Sequence, residues 1–326
     1  MVKVDLTDRN DLFHGIHRLQ NCADGVVPIR LSETLQDFYR RKSVDWFRYS
    51  RGSAGVSLQF RTTAKKLTVQ IKFNSFARSY FGFDVLCDGA LVKRVTENSE
   101  MENFSFSADL PGEGMRHITV AFPWQSECDI TGVFLDDASV VEPVVYSGKK
   151  LLMLGDSITQ GFDVLCTGES YAARVAAAFG GEWFNLAVGG TVMDSKAIAG
   201  AMDYPWDIVT LAYGVNDCSK KIPLEKFREE TMKSLTLLTS REGAEVFVFT
   251  PLPWYGCPVD HPEEFALCKY RDILKECSAK FPQVHLLDGT GLLDNDGQYF
   301  YDTVHPNAAG MNMVAQRAIP QLGFGK

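Results

Sequence analysis

The chain has 326 residues, of which 45% are hydrophobic and 23% charged, and these proportions are ordinary for globular proteins. A formal net charge of -8 argues against a basic surface, so neither nucleic acid nor anionic lipid is an expected partner. Every apolar run is too short to span a bilayer, which argues against a membrane protein.

The N-terminal residues and the cysteines indicate the cellular compartment in which the protein is expected. The N-terminal stretch lacks the basic residues, apolar core and cleavage site of a signal peptide. Eight cysteines are spread along the chain without a Cys-x-x-Cys pair, a pattern typical of free thiols in a reducing compartment. We therefore expect a cytoplasmic protein, and the length predicts two domains.

The N-terminal half contains short segments in which apolar and polar residues alternate. Residues 1–35 show no clear period and are treated as a lead-in segment. Period two predicts half-buried strands, and many short strands separated by turns predict an all-β sandwich, jelly-roll-like, over residues 36–142. The alternating segments are 56–60, 67–73, 80–87, 91–95, 104–108 and 118–122.

The pattern changes between residues 140 and 149, which suggests a domain boundary. Beyond it the apolar runs are continuous, as in strands covered on both faces, and they alternate with helical stretches at 170–179 and 224–239. This order predicts a parallel, doubly wound α/β sheet over residues 149–326. The runs are 151–154, 183–186, 208–212, 246–249 and 284–287.

Polar residues follow these runs where the strands are predicted to end, and ligands bind at that edge of such sheets. Ser157, placed on a tight turn by Gly155, is the candidate nucleophile. His305 is the candidate general base, and Asp302 lies three residues before it, close enough to orient the imidazole. Acyl transfer through a serine needs these three groups.

Acyl transfer also needs hydrogen-bond donors for the oxyanion. The candidates are the backbone N–H groups of Ser157 and Gly190 and the side-chain amide of Asn216, which can converge from three predicted strand ends. Gly189 is the alternative to Gly190. Taken singly, each block also fits a helix cap or a tight turn, and only their combination indicates catalysis.

These blocks resemble those of the SGNH (GDSL-type) hydrolase superfamily, over residues 149–326. The resemblance implies a three-layer α/β/α, flavodoxin-like domain with about five parallel strands, and it assigns the same roles to the same residues. Ala187 stands where the family often has Gly, which leaves the choice between Gly189 and Gly190 open. The blocks are Gly155-Asp156-Ser157, the glycine of segment 185–191, Gly214-Val215-Asn216-Asp217 and Asp302-Thr303-Val304-His305.

Two aromatic residues follow the fourth predicted strand. Trp254 and Tyr255 should border the same cleft, where they could stack on a sugar ring or form an acyl-binding wall. Ordinary loop packing is the alternative explanation.

The sequence thus predicts a serine esterase that forms an acyl-serine intermediate and needs no metal or organic cofactor. Acetyl on a carbohydrate is the preferred ester, because a β-sandwich before an SGNH domain is similar to family two carbohydrate esterases. The base in that group often lacks its acidic partner, whereas Asp302 is present here. The alternatives are a thioesterase or lysophospholipase for longer acyl chains, and a non-catalytic carbohydrate-binding protein.

The expected partner is therefore a small-molecule or oligosaccharide ester. The sequence leaves open whether the sandwich is a carbohydrate-binding module, a lid or a surface for homo-oligomer formation.

Overall fold

A computed structural model describes residues 1–136 and 139–325, and the chain forms two compact units. The first comprises residues 1–147 together with 165–168, and the second comprises 148–164 and 169–326. Residues 137 and 138 of the predicted sandwich and residue 326 of the predicted α/β domain lie outside the described residues.

The first unit contains two antiparallel sheets and two short helices. One sheet has the strand order β3-β4-β11-β6-β9, with β1 paired to β11, and the other has the order β12-β5-β10-β7-β8, with β2 paired to β5. Its elements are β1 (Val2–Lys3), β2 (Phe13–His14), β3 (Arg18–Asn21), β4 (Val26–Ile29), α1 (Glu33–Lys42), α2 (Val44–Ser50), β5 (Ser57–Thr62), β6 (Lys66–Phe76), β7 (Phe81–Cys87), β8 (Ala90–Glu97), β9 (Asn103–Asp109), β10 (Arg116–Ala121), β11 (Ser126–Leu135) and β12 (Glu142–Pro143).

The alternating residues of these strands form the core between the sheets. Val69 and Ile71 of β6 are buried together with Phe83 of β7 and Val120 of β10, while the residues between them on β6 are more exposed. The lead-in differs from its sequence description, because residues 1–35 supply β1 to β4 to the two sheets. Strands of two to four residues are too short to display a period of two.

A four-residue segment, 165–168, belongs to the first unit although its neighbours in sequence belong to the second. The Gln125 side-chain amide donates to the Leu165 carbonyl at 3.0 Å, and the Thr167 hydroxyl donates to the Phe122 carbonyl at 2.6 Å. A Cβ at Gly82 would collide with the sulfur of Cys166. The segment is therefore fitted closely into the unit that contains the sandwich.

The second unit contains a parallel sheet of five strands in the order β14-β13-β15-β16-β17. The predicted fold class, an all-β sandwich followed by an α/β domain with a five-stranded parallel sheet, is confirmed. The elements are β13 (Leu151–Gly155), α3 (Ser157–Gln160), α4 (Tyr171–Phe179), β14 (Trp183–Asn185), α5 (Ser195–Ala201), β15 (Ile208–Ala212), α6 (Val215–Ser219), α7 (Leu224–Thr239), β16 (Glu245–Phe249), α8 (Leu267–Ser278), β17 (Val284–Leu287), α9 (Gly289–Leu292) and α10 (Ala308–Ala318).

The strand order places β13 between β14 and β15, so the chain leaves β13 in one direction and later returns on its other side. Such a reversal opens a crevice at the carboxyl ends of the strands. Every residue of β13 is buried, as its continuous apolar run predicts. Within residues 1–136 and 139–325, no helix combines the length and the hydropathy needed to cross a membrane.

Candidate active site

The turn after β13 presents Ser157 at the edge of the sheet. Asp156 caps α3, with its Oδ1 accepting the backbone N–H of Ile158 at 3.0 Å, and Ser157 is the first residue of the helix. A Cβ at Gly155 would collide with the Thr159 side chain and lie 2.9 Å from the Ala212 carbonyl oxygen. Glycine is therefore required immediately before Asp156 if the turn is to pack this closely.

His305 joins the serine to a carboxylate. Its Nε2 lies 2.8 Å from Ser157 Oγ, and its Nδ1 lies 2.8 Å from Asp302 Oδ2. Because an ionised carboxylate can only accept, Nδ1 carries the hydrogen and Nε2 is left to accept from the Ser157 hydroxyl. The backbone N–H groups of Val304 and His305 both donate to Asp302 Oδ1 at 2.7 Å, which fixes the carboxylate in place.

The electrostatics of this pair follow from its contacts. Partial burial alone would raise the pKa of Asp302, but the hydrogen bonds and charge of His305 hold it well below its usual range. Burial alone would lower the pKa of His305. The hydrogen bond and charge of Asp302, followed by the charges of Asp163 and Asp156, outweigh this and raise it.

Asp163 is a second carboxylate at the imidazole, and it lies outside the motifs that predict the other site residues. Its Oδ2 lies 3.1 Å from His305 Nδ1, and its side chain is 1% exposed. The ring of the preceding residue, Phe162, stacks on the imidazole with 5.8 Å between centroids. No local spacing marks Asp163 as a partner of His305, because the two residues are distant in sequence.

The loop after β14 contains the candidate backbone donor for the oxyanion. The Gly189 N–H donates to Gln160 Oε1 at 2.7 Å, and Gly190 adopts a φ of 74°, which favours glycine. The Asn216 side chain donates to the carbonyl of Thr191 at 3.1 Å, so only one of its two N–H groups is used by that contact. The Lys220 ammonium also donates to the Gly190 carbonyl.

Two buried carboxylates lie behind these loops. Burial raises the pKa of Asp156 to about 6 and that of Asp217 to about 7, and the charge of Asp156 contributes to the shift of Asp217. Asp217 also accepts the backbone N–H of Met193, with Oδ1 at 3.1 Å and Oδ2 at 3.3 Å. It thus anchors the residues that follow Gly190.

The two aromatic candidates make different contacts. Tyr255 is 52% exposed and stacks on Phe300 with 5.6 Å between centroids. Trp254 packs edge-on against His261 and lines a cleft with Arg271. The neighbouring Gly256 N–H donates to the carbonyl of Thr303, which connects this loop to the Asp302–His305 segment.

Asp163, Asp302 and His305 form the one group of possible metal ligands found in the described parts of the chain, with facing atoms within 4.8 Å of one another. The imidazole Nδ1 needs its hydrogen to bond the carboxylates, and it cannot coordinate a cation at the same time. We therefore interpret the group as an acid–base arrangement.

A hydroxyl, an imidazole and a carboxylate in hydrogen-bonded order, at the carboxyl edge of a parallel sheet, have the chemistry of a serine hydrolase. Residues 153–313 match the model of the GDSL-like lipase/acylhydrolase family. The match lies within the second unit, and the protein is an SGNH-type serine hydrolase that acts on acyl esters. A search of curated proteins gives no match.

Solved structures share the fold over nearly the whole chain. A salicylyl-acyltransferase, SsfX3, from a tetracycline biosynthetic pathway has a TM-score of 0.85 at 19% identity, covering 99% of this chain and 96% of its own. A GDSL-like lipase from Bacteroides ovatus has a TM-score of 0.79 at 15% identity, covering 99% and 98%. An acetyl xylan esterase, Est2A, from Butyrivibrio proteoclasticus has a TM-score of 0.64 at 14% identity, also covering 99% and 98%.

Proposed function

We propose that the protein is a serine esterase that hydrolyses acetyl esters of carbohydrates, with Ser157 as nucleophile, His305 as general base and Asp302 as its orienting partner. One observation carries the proposal: His305 Nε2 lies 2.8 Å from Ser157 Oγ while its Nδ1 lies 2.8 Å from Asp302. This is the distance at which the base can accept the serine proton directly.

In the first half-reaction, Ser157 Oγ attacks the ester carbonyl as its proton passes to His305 Nε2. The carbonyl oxygen becomes negative and accepts hydrogen bonds from the backbone N–H groups of Ser157 and Gly190 and from the Asn216 side chain. His305 then gives the proton to the leaving alkoxide. In the second half-reaction, a water molecule gives a proton to His305 Nε2 and attacks the acyl-serine. The acid then leaves as His305 returns that proton to Ser157 Oγ.

Gly190 is favoured over Gly189 as the backbone donor. The Gly189 N–H already donates to the buried Gln160 side chain, whereas no acceptor bonds the Gly190 N–H within residues 1–136 and 139–325. An oxyanion bound to Gly189 would have to break this buried hydrogen bond to the Gln160 amide oxygen, which costs free energy.

The substrate class is supported by the shared fold and by an exposed ring. Proteins with this fold include family two carbohydrate esterases, among them a Clostridium thermocellum enzyme solved with a cello-oligosaccharide, and an acetyl xylan esterase. The half-exposed Tyr255 ring, held by its stack on Phe300, offers an apolar face of the kind that packs against sugars. A carbohydrate hydroxyl is accordingly the proposed leaving group.

A second candidate function is acyl transfer to an alcohol other than water. The acyl-serine intermediate is common to both reactions, and the match to an acyltransferase over 99% of the chain favours testing it. Adding a soluble alcohol during ester turnover distinguishes the two activities. A transferase would form the new ester in preference to the free acid, whereas an esterase would release mainly the acid.

Labelling with a fluorophosphonate tests the central proposal. An activated serine should attack the phosphorus and become covalently modified, and peptide mapping should find the label on Ser157. The matched control is Ser240→Ala, which removes an exposed hydroxyl at the end of α7 and should label like the wild type. Equal labelling of Ser157→Ala would refute the assignment of the nucleophile.

A further inference from the structure

The imidazole of His305 lies between two carboxylates, although its Nδ1 has a single hydrogen to donate. Asp302 Oδ2 is 2.8 Å away and Asp163 Oδ2 is 3.1 Å away. Asp302 belongs to the same loop as His305, whereas Asp163 comes from the turn that follows α3. The second carboxylate therefore reaches the ring from the turn directly after the helix that begins with Ser157.

The two carboxylates have different surroundings. The Asp302 side chain is 43% exposed, while that of Asp163 is 1% exposed. A buried charge acts through a lower effective dielectric than an exposed one, so Asp163 should interact strongly with a charge on the ring despite its slightly longer distance. Water can also compete for Asp302 more readily than for Asp163.

The backbone at Asp163 has a φ of 69°, in the left-handed region that aspartate tolerates better than most residues. The preceding Phe162 is buried and stacks on the imidazole. This turn thus contacts the ring of His305 with an aromatic face and also contacts its Nδ1 with a carboxylate.

We propose that Asp163 is a second positioning residue for His305. It helps to stabilise the imidazolium that forms when the Ser157 proton moves to Nε2, and it accepts the Nδ1 hydrogen when Asp302 is removed. The proton stays on the imidazole until it passes to the leaving group, and both carboxylates remain unprotonated. This inference rests on the proposed function, because it assigns His305 the role of general base.

Several charged groups besides Asp163 also influence the pKa of His305. Asp302 faces it from its own loop, Asp163 from the turn after α3, and Asp156 from the end of β13. Lys220, after α6, interacts with Asp156 and partly offsets its charge. Replacing Asp163 alone leaves these other groups in place, so a change in the pH profile can be assigned to the buried carboxylate.

The test compares Asp163→Asn, Asp302→Asn and the double variant, using the pH profile of kcat/KM on 4-nitrophenyl acetate. Each single variant should lose roughly tenfold to a hundredfold in kcat/KM, because the remaining carboxylate still accepts a hydrogen bond from Nδ1 of His305. The double variant should lose more than the product of the two single losses. Asp163→Asn should also move the acid limb to lower pH, which a purely structural defect would not do.

The matched control is Asp272→Asn, which removes an exposed carboxylate from α8 and should keep the wild-type profile. An unchanged acid limb in Asp163→Asn, in both the wild-type and the Asp302→Asn backgrounds, would overturn the inference. If Ser157→Ala remained active, the proposed function itself would fail, and this outcome is distinguishable from the first.

A second measurement covers the case in which Asp163→Asn does not fold. Nitrogen-15 spectra of histidine-labelled Asp302→Asn report which imidazole nitrogen of His305 carries the hydrogen. A hydrogen retained on Nδ1 is the expected result, since Asp163 remains as an acceptor. A hydrogen on Nε2 would show that Asp163 does not hold the ring and would overturn the inference.

Discussion

The side-chain amide of Asn216 donates to the carbonyl oxygen of Thr191 at 3.1 Å, and this contact connects α6, which follows β15, to the loop after β14. Thr191 directly follows Gly190, the candidate backbone donor. Asn216 can therefore bind an oxyanion with its second N–H while its first holds the neighbouring loop. Its removal should affect both donors.

Asn216→Ala should lower kcat on 4-nitrophenyl acetate by about a hundredfold to a thousandfold, because one oxyanion donor is lost and the loop of the other is released. KM should change much less, since the donor acts mainly on the transition state. Steady-state kinetics at saturating ester check this. An equal rise in KM with kcat unchanged would assign Asn216 to substrate binding instead.

Ser157→Ala and His305→Ala should each lower kcat by roughly a thousandfold or more, because nucleophile and base act as a unit. Asp302→Ala should do less harm. Stopped assays, with circular dichroism to verify folding, measure the effect, and Ser240→Ala is the matched control for loss of a hydroxyl. Residual activity in Ser157→Ala near the wild-type level would contradict the proposed mechanism.

Acyl chain length separates the acetyl-ester proposal from a thioesterase or lysophospholipase. We expect 4-nitrophenyl acetate to be hydrolysed much faster than the octanoate ester, compared as kcat/KM at concentrations where both esters are soluble. The small acyl group leaves little apolar surface to bind, so a site built for it gains nothing from a longer chain. Equal or inverted rates would favour a long-chain substrate.

The pH dependence of kcat/KM should show an acid limb above the ordinary pKa of histidine. The neutral imidazole is the base, and Asp302, Asp163 and Asp156 together raise the pKa of His305 against the opposing effect of burial. Activity should therefore fall as the pH drops through this raised value and should be restored as the pH rises. An acid limb well below 6.5 would contradict the assignment of His305 as the titrating group.

Asp217→Asn should change how stability depends on pH. The folded pKa of Asp217 is raised to about 7 by burial, so its contribution to stability is complete below the unfolded pKa and is lost as the pH rises through about 7. Asparagine keeps an acceptor for the Met193 N–H without ionising. The variant should gain stability relative to the wild type between pH 4 and pH 8, by roughly 2 to 4 kcal/mol.

Urea denaturation at several pH values across that range measures this difference. Asp203→Asn, at an exposed aspartate, is the matched control and should follow the wild-type curve. A constant difference between Asp217→Asn and the wild type at every pH would mean that the ionisation of Asp217 does not contribute to stability.

The longer sheet strands could be predicted because the burial of each strand determines a pattern of apolar residues in its own sequence. Every residue of β13 is buried and apolar, and β6 alternates as a strand with one covered face. Strands β1 to β4 show no recognisable pattern of apolar residues because they are only two to four residues long. Their place in the sheets depends on pairing with distant strands such as β5 and β11.

In the active site, too, only contacts between residues close in sequence could be predicted from the sequence. Asp302 could be proposed as a partner of His305 because three residues separate them, whereas the contact of Asp163 with the same ring depends on the folded chain. Gln160 is a further case, since its bond to the Gly189 N–H joins two loops that the sequence does not connect. Motif spacing identifies residues of one turn, but contacts between turns require the structure.

The segment 165–168 limits how the protein can be divided. A fragment that begins at residue 148 would carry Leu165 and Thr167 without the Gln125 amide and the Phe122 carbonyl that bond them. The polypeptide passes from one unit to the other three times, so a single cut cannot separate them. Exchanging or removing either unit as one block would therefore require rebuilding segment 165–168 and the two connections that flank it.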